Sequence, residues 1–163
     1  MSGVRASLGA LMLIFSFACG GPSVEDRQRE AQEALNAGDF SGALASVDTA
    51  LKDAKISGDP AKAWRFELIR LETQASMGKG DDVLDSLDRL KGTYPTQMTA
   101  ALYRSLADKL RAGKDVMGAV NVLDAGIRAF PADKDTFLKT IEEIKAAGVD
   151  SETEEMLKKL GYM

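Results

Sequence analysis

The stretch Ala112-Gly113-Lys114-Asp115-Val116-Met117-Gly118-Ala119-Val120 decides the fold of this 163-residue chain. Before it, Leu102, Leu106, Ala107 and Leu110 recur at helical spacing. After it, Val116, Val120, Leu123, Ile127 and Phe130 resume that spacing, so Gly113-Lys114 is a break between two helices. Two similar stretches lie upstream, Asn36-Ala37-Gly38-Asp39-Phe40-Ser41-Gly42-Ala43-Leu44 and Met77-Gly78-Lys79-Gly80-Asp81-Asp82-Val83-Leu84. The compact residue early in each second helix is Ala43, Val83 and Ala119, at intervals of 40 and 36 residues. A single hairpin cannot bury its own apolar face, so a chain that repeats hairpins at such intervals is expected to stack them.

Outward from these turns the pattern stays helical, with no strand-like alternation after Val24. Trp64, Leu68, Leu71 and Ala75 mark one face, Val83, Leu84, Leu87 and Leu90 the next, and Phe137, Ile141 and Ile144 a later one. Breakers at Gly38-Asp39, Gly58-Asp59-Pro60, Gly78-Lys79-Gly80, Tyr94-Pro95, Gly113-Lys114, Phe130-Pro131 and Gly148 separate them. Proline lacks the backbone donor and disfavours helix at the preceding residue, so Pro60, Pro95 and Pro131 suit helix boundaries. Eight helices are predicted, over 24–37, 40–55, 60–77, 80–91, 96–112, 115–129, 133–147 and 151–160. Ser151 and Glu154 are expected to form a capping box on the last.

The three turn stretches resemble those of the tetratricopeptide repeat, a helical hairpin of about 34 residues. The longer first interval implies an insertion, most naturally at Lys55 to Pro60. The family's closing proline is met by Pro95 and Pro131, with Lys55 in its place in the first copy. Its apolar residue after the turn is met by Phe40 and Val116 but not by Gly80. The small residue of the first helix is met by Ala31 and Ala107, with Leu71 in the middle copy. The resemblance covers 24–131. It implies an all-α, right-handed superhelical stack of about three such hairpins plus a C-terminal capping helix pair over 133–160. Met156, Leu157 and Leu160 would cover the last repeat, with Glu152, Glu154, Glu155, Lys158 and Lys159 facing water.

The first residues carry a different message. Arg5 is the only charge before Glu25, and Ala6 to Ala18 is a run of apolar and small residues. That run is shorter than the roughly 20 residues a membrane-spanning helix needs and reads as a secretory signal. The only cysteine of the chain, Cys19, follows Ala18 and precedes Gly20-Gly21-Pro22-Ser23. This resembles a bacterial lipoprotein signal, although Ser16 stands where that family usually has Leu and Phe17 is bulkier than usual. The resemblance implies cleavage before Cys19 and acylation of its thiol and new amine. The expected organisation is a signal peptide over 1–18, a lipidated Cys19 with a short tether over 19–23, and a helical domain over 24–163. The alternative is an ordinary cleaved signal with a chance cysteine. Gly20 in place of Asp would permit sorting to the outer membrane, facing the periplasm.

Chemistry is sparse. With no histidine there is no Ser-His-Asp triad, Cys-His pair or His metal ligand, and one cysteine forms neither an internal disulfide nor a Cys-rich zinc site. A net charge of -4 argues against generic nucleic-acid binding. Gly78-Lys79-Gly80 and Gly113-Lys114 lack the spacing of a nucleotide loop and follow helices rather than strands. Asp81, Asp82, Asp85 and Asp88 read as a solvated acidic first turn, not a calcium loop. Met77, Met98, Met117 and Met156 read as core filling. No catalytic residue, cofactor, metal or small-molecule substrate is expected.

A surface remains. In repeats of this family the first helix of each hairpin lines a groove that holds a peptide or partner helix. The resemblance then points to Gln28, Gln32, Asn36, Arg65, Glu72, Arg104, Asp108 and Arg111 as groove residues, with Arg65, Arg104 and Arg111 suited to carboxylates. The clamp with which some family members grip acidic chaperone tails is not matched, since Gln28, Gln32, Ile69, Ala101 and Ser105 occupy its places. The leading expectation is a lipid-anchored envelope scaffold that binds another envelope protein or peptide and has no enzymatic activity. The competing readings are a self-associating structural subunit and a carboxylate-based envelope hydrolase.

Overall fold

Ser23 opens the helical part of the chain. In the computed structural model, which describes residues 22–163, its hydroxyl accepts from the Asp26 N–H at 3.1 Å. The Asp26 carboxylate answers by accepting from the Ser23 N–H at 3.4 Å, closing a capping box. The signal segment 1–18 and Cys19 lie outside the described residues. Among those residues there are nine α-helices: α1 Val24–Asn36, α2 Phe40–Lys52, α3 Ala54–Ser57, α4 Pro60–Ser76, α5 Gly80–Thr93, α6 Ala100–Ala112, α7 Val116–Ala129, α8 Lys134–Ala146 and α9 Ser151–Leu160. A short 3-10 turn, Pro131–Asp133, leads into α8. The fold is all-α, with helices packed in adjacent pairs.

Three boundaries differ from expectation. The predicted helix 40–55 ends at Lys52, because the Asp53 backbone is extended, and α3 forms a separate short turn within the expected insertion. The predicted helix 96–112 starts only at Ala100, where the Thr99 hydroxyl accepts from the Leu102 N–H. The cap of α9 is Asp150 rather than Ser151: its carboxylate accepts from the Thr153 N–H at 2.8 Å.

The three hairpin turns are closed by one hydrogen-bond pattern. In the first, the Gly38 N–H donates to Leu35 and the Asp39 N–H to Ala34. Gly78 and Lys79 repeat this onto Ala75 and Gln74, and Lys114 and Asp115 onto Arg111 and Leu110. The left-handed position is therefore Gly38, Gly78 and Lys114, with φ of 77°, 67° and 68°. Gly113 is not the left-handed residue of its turn. It is small for another reason: a Cβ there would lie 2.7 Å from the Gly78 backbone nitrogen.

Helices α1, α4 and α6 lie side by side, α5 and α7 pack together, and α2 packs on α4. Both α8 and α9 rest on α7. The six positions at which compact residues are expected to face one another, Ala31, Leu71, Ala107, Ala43, Val83 and Ala119, are all fully buried. One apolar cluster, including Phe66, Ile69, Val47 and Ile56, joins the N-terminal hairpin to α4. A second, larger one runs from Leu71 and Ala75 through α5, α6 and α7 to Phe137, Ile141 and Leu157. Helix α4 therefore touches both clusters, and its face is broader than the expected Trp64/Leu68/Leu71/Ala75 stripe. Phe66 and Ile69 are buried, whereas Trp64 and Leu68 are half-buried. Trp64 instead stacks obliquely on Tyr94, with ring centroids 5.3 Å apart.

Candidate interaction face

Helices α1, α4 and α6 run in the same direction, because each is returned by an antiparallel partner. Their outward residues therefore share one face. On α1, Gln28 and Gln32 are half-buried and Asn36 is exposed. On α4, Arg65 is exposed and Glu72 half-buried. On α6, Arg104 and Asp108 are exposed and Arg111 half-buried. Two polar contacts stitch the helices together on this face. The Arg65 guanidinium donates to the Gln28 amide oxygen at 3.5 Å, and Lys109 pairs with Glu72 at 3.7 Å. Within helices, Gln32 donates to Asn36 at 3.1 Å and Arg111 pairs with Asp108 at 3.6 Å.

The expected residues thus fall into separate groups. Gln28 meets Arg65, Gln32 meets Asn36, and Glu72 meets Lys109, a residue outside the expected set. Arg104 forms no ion pair among the described residues. Arg111 and Asp108 line an open cleft of about 430 Å³ between α6 and the end of α8, together with Val116, Ile144, Ala147 and Gly148. The three arginines are therefore distributed over two helices rather than gathered at one point.

A second charged cluster centres on a buried carboxylate of α4. Glu67 on α4 is only 6% exposed. Its two oxygens accept from Arg89 on α5, both at 2.9 Å, and one also accepts from Arg70 at 3.1 Å. Arg70 in turn bonds Asp48 on α2. The hydrogen bonds that Arg89 donates to Glu67 raise the Arg89 pKa above its ordinary value, and burial raises that of nearby Tyr94. This cluster clamps α2, α4 and α5. Spacing gave only a partial signal for it, since Glu67 and Arg70 are a helical i, i+3 pair but Arg89 is 22 residues from Glu67.

The C-terminal end is also tied down. The Tyr162 hydroxyl donates to Asp124 on α7 at 2.7 Å, and Lys145 on α8 donates to the Tyr162 carbonyl at 2.7 Å. Among the described residues no group of His, Cys, Asp and Glu is arranged to hold a metal ion, and no helix is long and apolar enough to cross a membrane. Compared with protein-family models, curated proteins and solved structures, the chain matches none.

Proposed function

We propose that the chain is a lipid-anchored scaffold of the bacterial envelope that binds a partner protein or peptide through the shared face of α1, α4 and α6. Three tetratricopeptide-like hairpins, α1–α2, α4–α5 and α6–α7, would form a right-handed stack, with α8–α9 as its cap. The observation that carries this reading is the identical hydrogen-bonded closure of the three turns, together with the parallel placement of the three first helices. Such a layer offers a long polar surface on a rigid frame, which suits binding rather than turnover. Arg65 and Arg104 supply surplus positive charge there, because Lys109 and Arg111 already face Glu72 and Asp108. The preferred partner is a segment bearing carboxylates.

The anchor in this reading is Cys19, with acyl chains that hold the domain at the periplasmic face of the outer membrane. More than one chain is needed for a durable hold. Recovery of crosslinked partners from native membranes tests the face. The Arg65→Glu/Arg104→Glu chain should lose its partner while keeping its helical content. Unchanged recovery would exclude this surface. Separately, Cys19→Ser should release the protein into the soluble envelope fraction.

A further inference from the structure

We propose that the pole of the fold at which α1 begins lies against the bilayer, with Lys52 and Lys55 over anionic lipid headgroups. The inference rests on Cys19 carrying the lipid. Only Gly20, Gly21 and Pro22 separate Cys19 from Ser23, a span of at most about 14 Å when extended. Ser23 is itself fixed, since its capping box with Asp26 makes it the first rigid residue of the domain. A tether this short, ending on a closed cap, leaves the domain little freedom to turn another surface to the membrane.

The structure defines what surrounds that point. Arg27, one turn into α1, pairs with Asp53 at the end of α2 at 3.0 Å. The other oxygen of Asp53 accepts from the Lys55 N–H at 2.9 Å. Val24 packs on the cluster that contains Ile56 of α3. The end of α2 therefore sits beside the start of α1, and α3 packs next to it on α2 and α4. Lys52 and Lys55 are exposed there and form no ion pair among the described residues.

The helices that end at this pole, α2, α5 and α7, carry Lys52, Lys91 and Arg128 in their last turns, where Lys91 and Arg128 pair with Asp88 and Asp124, and the helices that begin there carry Glu25, Asp26, Asp59, Asp133 and Asp135. The opposite pole is where α2, α5, α7 and α9 begin. It holds Asp39, Asp81, Asp82, Asp115 and Asp150 at those starts. At the first pole an anionic bilayer attracts Lys52 and Lys55, which are unpaired among the described residues, and it repels the acidic helix starts at the second, where α6 and α8 also bring Lys109, Arg111 and Lys145. The two are separated by about 20 Å, the length of a thirteen-residue helix.

The test uses the mature acylated chain in vesicles containing phosphatidylglycerol, with a nitroxide quencher on the lipid headgroups. Acylation consumes the Cys19 thiol, so a fluorophore enters only at a new cysteine, Lys55→Cys at one pole or Asp81→Cys at the other. The Lys55 label should be quenched at least threefold more than the Asp81 label. Equal quenching, or stronger quenching at Asp81, overturns the assignment of the pole. Adding Lys52→Glu should weaken quenching of the Lys55 label on anionic vesicles and leave it unchanged on neutral phosphatidylcholine. The same change on both vesicles overturns the headgroup contact. The mass of the Cys19 peptide reads the anchor separately. An unacylated peptide removes the anchor reading and this inference with it, whereas an acylated chain with equal quenching removes this inference alone.

Discussion

The carboxylate of Asp115 caps two helices in two different hairpins: one oxygen accepts from the Gly118 N–H at 2.7 Å, the other from the Gly80 N–H at 2.8 Å. The equivalent position in the first hairpin is Asp39, which caps only its own helix through Gly42 at 2.9 Å. In the second hairpin that position is Lys79, which makes no side-chain cap. The third hairpin thus supplies the cap that the second lacks. Gly80 is glycine because a Cβ there would lie 2.6 Å from the Asp115 carboxylate and 2.6 Å from the Gly118 Cα. The departure of Gly80 from the pattern of the other two turns is thus a contact between hairpins.

Asp115→Ala should therefore cost more than Asp39→Ala. Loss of a local cap costs about 1 kcal/mol, and the bond to Gly80 adds about 1 kcal/mol. Urea unfolding of the two variants measures the difference. Equal midpoints would mean that the bond across the hairpins contributes nothing.

Two glycines of α5 should respond in opposite directions to alanine. Gly80→Ala forces backbone apart between α5 and α7 and should destabilise by about 1–3 kcal/mol. Gly92 is exposed and a Cβ there meets nothing within 4 Å, so Gly92→Ala should stabilise by up to about 1 kcal/mol through helix propensity. Thermal melts of both single variants read the sign directly.

Removing Glu67 leaves two guanidinium groups facing each other across α4 and α5. Glu67→Ala should cost about 2–4 kcal/mol, below the full penalty of a broken buried pair because Arg89 is half exposed and reaches water. Arg89→Ala should cost less, since Arg70 still serves the carboxylate. Lys91→Ala breaks an exposed pair with Asp88 and should leave the unfolding midpoint unchanged.

Stability should be flat through neutrality and fall at both extremes of pH. The chain has no histidine, so no side chain with an ordinary pKa near 6.5 titrates in the middle of the range. On the acid side, hydrogen bonds hold three carboxyls below their ordinary value of 3.8: Asp26 through Ser23, Asp59 through Lys62, and Asp150 through Thr153. A depressed folded pKa contributes stability that is present above that ordinary value and lost as pH falls below it. On the alkaline side, burial raises Tyr94, Tyr103 and Tyr162 above 10.0. Their contribution is intact below pH 10.0 and is lost as pH rises through the raised values. Urea midpoints across pH should show this plateau, and Tyr103→Phe should weaken its alkaline edge.

Much of the helical layout is legible from local signals. Proline and glycine breaks mark most boundaries, and the three turn stretches announce the pairing of hairpins. The failures have a common cause. Asp150 rather than Ser151 caps α9 because the choice between adjacent cap formers depends on backbone angles that spacing does not encode. Phe66 and Ile69 are missed because α4 is buried on two sides, and a helix with two buried faces has no single stripe to read. Of the candidate face, the helices and their order follow from the hairpin turns, but the pairings Arg65–Gln28 and Glu72–Lys109 depend on how far neighbouring helices are offset along their axes.

The division of the core at α4 has a mechanical consequence. The N-terminal hairpin is held by a small cluster rich in alanine, with Ala31, Ala43 and Ala50 among its buried members, whereas the rest of the fold shares one continuous and larger core. Load applied to the chain ahead of Ser23 would reach α1 first and act on the weaker of the two clusters. The hairpin α1–α2 would peel away from Phe66 and Ile69 before α4 yields, a yielding joint between the N-terminal end and the rest of the fold.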